Sequence, residues 1–339
     1  MAGPRSSRRT FFQVSAAAML AGAWPARAEE TPVRKSTHTY KTVGACAIEA
    51  DVYQPPDARG GPRPAVIWIH GGALIMGSRA GIDSLLRTEL VRAGCVVVSI
   101  DYRLAPETKL AAILEDVHDA VRWVREEGAK AFAIDPLRVA VAGSSAGGYL
   151  TLTTGYRVSP PPQALVSYWG YGEVTGPWYS RPDPFYRRQP LVPREEAEKA
   201  VGRTPLTEGA GKPERARFYL YCRQQGLWPR EVAGLDPDKE PRAFDPFCPV
   251  RNVTKAFPPT LLVHGTKDSD VPYEQSQMMA EALARQGVAH ELITVPGGSH
   301  GLAGAKPDVT GRVRESVLGF LTTQLKCGER KKLSADVRR

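Results

Sequence analysis

The sequence predicts an α/β fold, a mostly parallel β-sheet covered by helices on both faces. Three observations carry that prediction. Short, continuous apolar runs at 65–69, 95–100, 138–142, 163–169 and 260–263 suit strands buried on both faces. Segments with helical apolar spacing separate them, and strands alternating with helices imply right-handed crossovers and a parallel sheet. Gly143-Ser144-Ser145-Ala146-Gly147 then sets a sharp turn between the run at 138–142 and a helical pattern at 145–155.

Taken in order, 37–43 and 46–53 read as two strands around Gly44, a hairpin preceded by a linker at 29–36. A Pro/Gly-rich loop at 55–64 leads into the run at 65–69, which ends at His70-Gly71-Gly72. A helical segment at 82–93 follows. The strand at 95–100 closes with Asp101-Tyr102-Arg103-Leu104-Ala105-Pro106. Leu110, Leu114, Val117, Val121 and Val124 recur at three and four, which predicts a helix over 110–127 with one apolar stripe, ending near Gly128. After the sixth sheet strand, at 163–169, the alternation stops. From 170 to 253 prolines are frequent and the helical windows are short (194–201 and 215–225). Thirteen of the chain's 27 Phe, Trp and Tyr fall within 168–247. This segment reads as a cap insertion with apolar surface to cover. The alternation resumes with a strand at 260–263, a helix at 274–286, a strand at 290–295 and a helix at 309–325.

The formal charge of +9 on 339 residues sits mostly at the two ends. Residues 1–28 hold Arg5, Arg8, Arg9 and Arg27 and no acid, and 326–339 hold six Lys or Arg and two acids, so the body is nearly neutral and no nucleic-acid partner is expected. Residues 326–339 read as a solvated basic tail. At the other end, Arg8-Arg9 ahead of an apolar run and Ala26-Arg27-Ala28 after it have the pattern of a twin-arginine signal peptide over 1–28. The mature chain is then expected to begin near Glu29, in the periplasm or outside the cell, without a stable membrane anchor. The five cysteines form no C-x-x-C metal pattern and no disulfide scaffold. Cys95 opens an apolar strand and reads as core. Cys222 and Cys248 are candidates either for a disulfide or for free thiols. Neither a metal nor a cofactor is expected.

In a parallel sheet the carboxyl ends of the strands share one edge, where ligands bind. His70, Ser145, Asp268 and His300 each follow a strand and so converge on that edge. A serine hydroxyl becomes a nucleophile when a base takes its proton and a third group orients the base. Only Ser145 stands between glycines at the G-x-S-x-G spacing, which makes it the candidate nucleophile. Of the six histidines, His38 and His290 start strands and His118 lies in a helix covering the sheet. His300, in Gly297-Gly298-Ser299-His300-Gly301, follows the last strand on a flexible loop and is the candidate base. The loop after the strand at 260–263 offers two acids. Asp268 is preferred, Asp270 is the alternative, and Glu173 is a remote third. A developing oxyanion needs preorganised donors, and the backbone N–H groups of Gly71, Gly72 and Ala146 are placed to supply them. Trp169, Trp178 and Tyr179 are candidates for substrate contact, with the cap's own core as the favoured reading.

Together, His70-Gly71-Gly72, the 101–106 segment, Gly143 to Gly148, His264-Gly265 through Pro272 and Ser299-His300-Gly301 resemble the α/β-hydrolase superfamily. The nearest group is the esterases and lipases related to hormone-sensitive lipase and the acetyl-esterase type of carboxylesterase. The resemblance covers about 40–165 and 258–325. It implies an α/β-hydrolase catalytic domain at 29–169 and 254–325 with a cap at 170–253. It also implies a serine carboxylesterase acting through an acyl-enzyme on small-molecule esters, and the cap aromatics, which can stack on sugar rings, add acylated polysaccharide as a candidate substrate. Ala73 stands where the family's H-G-G-G pattern has its third glycine, and the acid segment has the H-G-x-x-D-x-x-V-P form of acyl-peptidase-like members. A serine exo- or oligopeptidase and a non-catalytic binding protein on the same fold are the alternatives.

Overall fold

The computed structural model describes residues 33–55, 61–209 and 213–327. The signal-like segment and residues 328–339 of the basic tail lie outside the described residues.

The apolar runs become an eight-stranded sheet in the order β1-β2-β4-β3-β5-β6-β7-β8. Its strands are β1 (Arg34–Val43), β2 (Cys46–Gln54), β3 (Arg63–Ile69), β4 (Val96–Ile100), β5 (Ile134–Ser144), β6 (Leu165–Tyr168), β7 (Thr260–Gly265) and β8 (His290–Val295). The hairpin β1–β2 and the pair β2–β4 are antiparallel. Every other neighbouring pair is parallel. Alternate residues of each central strand serve opposite faces. Ala65, Ile67 and Ile69 join a core with α2 (Leu110–Ala131), α3 (Ala146–Arg157) and α8 (Glu274–Arg285). Val66 and Trp68 join the other core with α1 (Ser84–Arg92) and α9 (Pro307–Gln324). Each fully buried Leu, Ile or Val there contributes about 1.5–3 kcal/mol relative to exposure.

The structure differs from the sequence pattern in local ways. β1 starts at Arg34, inside the segment read as a linker. His38 therefore lies within β1 rather than at its start, with its ring 4.9 Å from that of Phe132. α2 continues past Gly128 to Ala131. Helical hydrogen bonding tolerates a glycine there at about 1 kcal/mol, and Gly128 lies buried beside Ile134. Cys222 and Cys248 are both buried and unpaired. The two thiols that meet are Cys95 and Cys327, with their sulfurs 3.2 Å apart. Among the described residues no helix is long and apolar enough to cross a membrane.

Between β6 and β7 the chain forms α4 (Pro177–Ser180), α5 (Arg194–Lys199), α6 (Pro213–Gln225) and α7 (Trp228–Ala233). This cap has its own aromatic core. Tyr179 stacks on Trp228 with centroids 4.0 Å apart, and Tyr149 of α3 stacks on Tyr171 at 4.7 Å. A buried ion pair ties the cap to the loops that follow β3 and β4. Arg215 of α6 donates to both oxygens of Glu107 at 2.8 Å, and to the carbonyls of Ile75 and Ala105 at 2.6 Å. Their side chains are 3% and 1% exposed, so neither charge has water to fall back on. Arg215→Ala strands the Glu107 carboxylate and is expected to cost about 3–5 kcal/mol in urea unfolding. A loss below about 1 kcal/mol, the range of an exposed pair, would show that the contact is not buried in solution.

Candidate active site

The turn after β5 is built by close approach. A Cβ on Gly147 would meet the Ile69 carbonyl oxygen at 2.0 Å, so only glycine lets α3 start this near β3. Ser145, between β5 and α3, is held at φ 56° and ψ −121°. That region is sparsely populated for a residue with a Cβ and costs on the order of 1–3 kcal/mol. The Ser145 N–H donates to the Tyr168 carbonyl at 2.8 Å, which pins the strained residue to the sheet.

The loops after β7 and β8 bring the other groups to Ser145. His300 Nε2 lies 3.0 Å from Ser145 Oγ, and His300 Nδ1 lies 2.7 Å from Asp268 Oδ2. Facing a carboxylate, Nδ1 carries the proton, which leaves the Nε2 lone pair for the serine hydroxyl. The other Asp268 oxygen accepts from the backbone N–H groups of Asp270 and Val271, both at 2.9 Å. His264, which the pattern left without a role, is fully buried behind Asp268. Its Nε2 faces the Val271 carbonyl at 3.0 Å and Asp268 Oδ2 at 3.3 Å, so it carries the proton there, and its Nδ1 accepts from Ser276 Oγ at 2.7 Å. Burial acts to raise the Asp268 pKa, but the hydrogen bonds from His264 and His300 outweigh it and hold it well below the usual carboxylate range.

Asp270 does not take the orienting position. It lies on the serine side of the imidazole, with Oδ2 3.5 Å from His300 Nε2. Burial acts to lower the His300 pKa. Asp270 first and then Asp268 overcome both that and the opposing charge of Arg223, so the net shift is upward. Glu173 belongs to a turn, accepting from Gly176 N at 2.6 Å and Trp178 Nε1 at 2.8 Å.

The His70-Gly71-Gly72 loop passes directly beneath the serine. A Cβ on Gly71 would sit 3.2 Å from Ser145 Cβ, and Gly72 adopts φ +110°, open only to glycine. His70 is buried, stacked on Tyr102 at 4.3 Å, and its Nδ1 donates to the Gly71 carbonyl at 2.7 Å. Burial pushes its pKa down to about 4, so it stays neutral. A planar trans peptide points its N–H opposite to its carbonyl. Pinning the Gly71 carbonyl to His70 therefore fixes the direction of the Gly72 N–H. Among the described residues the N–H groups of Gly71, Gly72 and Ala146 donate no turn, loop or cap hydrogen bond.

Of the three aromatic candidates, one stands at this site. Trp169 is half-buried, and its ring lies edge-on to His300 with centroids 6.2 Å apart. Tyr179 is 1% exposed inside the cap, and Trp178 stacks on it at 3.6 Å. Tyr179 is stacked on both Trp178 and Trp228, and Trp178 also meets Tyr171 at 5.3 Å, so both belong to the cap's aromatic cluster. Among the described residues no group of three or more His, Cys, Asp or Glu is arranged to hold a metal ion.

A strained serine after a central parallel strand thus meets a histidine whose other ring nitrogen meets an aspartate. A family model described as alpha/beta hydrolase fold matches residues 66–304, and the chain belongs to that family. Among curated proteins it is 30% identical over 343 residues to an esterase, LipC, of Mycobacterium tuberculosis, covering 94% of this chain and 76% of that one. It is also 30% identical over 314 residues to a non-reducing polyketide synthase of Penicillium rubens. That alignment covers 79% of this chain but only 12% of the synthase. Among solved structures, an esterase of Pyrobaculum calidifontis superposes with a TM-score of 0.64 at 26% identity, covering 86% of each chain. The chain is thus an alpha/beta-hydrolase family member that has esterases among its relatives.

Proposed function

We propose that this chain is an exported serine carboxylesterase that works through an acyl-enzyme on Ser145. The unbroken contact from Asp268 through His300 to Ser145, at 2.7 and 3.0 Å, carries the reading. As Ser145 Oγ adds to the ester carbonyl carbon, His300 Nε2 takes its proton and Asp268 stabilises the imidazolium. The carbonyl oxygen becomes anionic and is received by the N–H groups of Gly71, Gly72 and Ala146. The start of α3 adds its dipole there. The intermediate collapses, the alcohol leaves with the proton from Nε2, and the acyl group stays on Oγ. Water then adds to the acyl carbon, giving its proton to His300, and the carboxylic acid departs as Oγ is protonated again.

Turnover of p-nitrophenyl acetate and butyrate, with covalent labelling of Ser145 by a fluorophosphonate, is the expected result. Turnover of a dipeptide anilide in preference to these esters would move the assignment to a peptidase. A folded protein that takes no fluorophosphonate on Ser145 would move it to a binding protein. Export rests on the 1–28 pattern alone, and mass spectrometry of periplasmic protein beginning near Glu29 is its test.

A further inference from the structure

Asp270 is bound in a lopsided way. Its Oδ1 accepts from Tyr186 Oη at 2.7 Å, from Arg223 Nη1 at 2.6 Å and from Tyr219 Oη. All three donors come from the cap, Tyr219 and Arg223 from α6 and Tyr186 from the 3₁₀ turn at Tyr186–Arg188. Among the described residues Oδ2 accepts no hydrogen bond. It faces His300 Nε2 at 3.5 Å, beside the contact of that nitrogen with Ser145. The cap therefore fixes the plane of this carboxylate and aims one open anionic oxygen at the reacting centre.

On the carboxylesterase reading above, we propose that Asp270 is a specificity-determining residue. Its Oδ2 accepts a hydrogen bond from a hydroxyl neighbouring the esterified oxygen, so the enzyme selects esters of polyols, sugars included. The departing alcohol oxygen takes its proton from His300 Nε2 and so lies within hydrogen-bond reach of that nitrogen. Oδ2 flanks the same nitrogen, so a hydroxyl on the adjacent carbon of the alcohol is the group that meets it. A simple alkanol puts a methylene there, stripping water from a carboxylate oxygen and giving nothing back. Sites built to bind a hydroxyl reject the analogue that lacks one. An alcohol carrying its own carboxylate or phosphate is repelled. Trp169, half-buried beside His300, adds a flat apolar wall of the kind a carbon skeleton packs against.

The test compares 2-hydroxyethyl acetate with 2-methoxyethyl acetate. The two alcohols carry a similarly electron-withdrawing oxygen, but only the first can donate. The wild type is expected to favour the hydroxyl ester by about 10- to 100-fold in kcat/KM, the range of a hydrogen bond to a charged group. In Asp270→Asn the three cap donors hold the amide oxygen in the Oδ1 place, which puts an NH2 donor where Oδ2 was. The preference is then expected to vanish or to turn toward the methoxy ester. Equal wild-type rates on the two esters, with p-nitrophenyl acetate still hydrolysed, would overturn this proposal and leave the esterase reading standing. A preference that survives in an Asp270→Asn protein still labelled at Ser145 would overturn the assignment to Asp270. Should that variant fail to fold, the wild-type pair decides. No wild-type turnover of any ester would overturn the esterase reading and this proposal together.

Discussion

Ser145→Ala is expected to lower kcat for p-nitrophenyl acetate by about 10⁶-fold, leaving the 10³- to 10⁴-fold advantage over water that binding and oxyanion donors supply without a nucleophile. The argument is geometric. Alanine keeps the Cβ of residue 145, and the backbone bond from residue 145 to the Tyr168 carbonyl does not involve the side chain. The fold and the three donor N–H groups therefore survive, and only the atom that bonds to carbon is lost. KM is expected to change little. His300→Ala alone should cost about as much, and the double variant little more than either, because the serine is a nucleophile only while its proton has somewhere to go. Single-turnover rates on matched preparations check this. An Ala variant that retains most of the wild-type rate would remove Ser145 from the chemistry.

The site was legible in the sequence wherever its geometry is local. Gly147, at the start of α3, answers a 2.0 Å conflict with the Ile69 carbonyl of β3, and Gly72 answers a positive φ. Such demands leave one residue type, so they mark the sequence. The order of strands then carries Ser145, Asp268 and His300 to one edge without any knowledge of side-chain packing. The facing of the cap's aromatics was not legible for the opposite reason. Nothing within residues 177–180 says whether Trp178 and Tyr179 face substrate or one another; that is settled by Trp228, far along the chain. Asp270 is the sharper case. Its neighbours in sequence marked it as a spare acid, but the donors that define it stand 84, 51 and 47 residues away. Cys95 and Cys327, 232 residues apart, meet for the same reason. His264 was seen as part of a motif, yet its role in holding Asp268 appears only when β7 and α8 are packed together.

Asp268→Asn is expected to lower kcat/KM by about 10⁴-fold, through the tautomer of His300 more than through charge. Asp268 Oδ1 accepts two backbone N–H groups, so the amide oxygen of the substituted side chain must take that place. Its NH2 is then turned toward His264 Nε2 and His300 Nδ1. A donor facing Nδ1 obliges that nitrogen to accept, which moves the imidazole proton to Nε2 and removes the lone pair Ser145 needs. The pH profile separates this from simple electrostatics. The groups facing His300 are Asp268, Asp270 and Arg223, and their sum with burial raises its pKa above 6.5. Catalysis needs the neutral ring, so wild-type kcat/KM should fall as pH drops through that raised value, with the acidic limb above 6.5. Asp270→Asn removes the largest raising contribution and should carry the limb to lower pH. Asp268→Asn also removes a negative charge and shifts the limb the same way, yet its loss should persist well above the limb, where His300 is neutral in both proteins. Recovery of the wild-type rate there would mean that Asp268 acts only by tuning the His300 pKa. Persistence of the deficit means that it sets which nitrogen holds the proton.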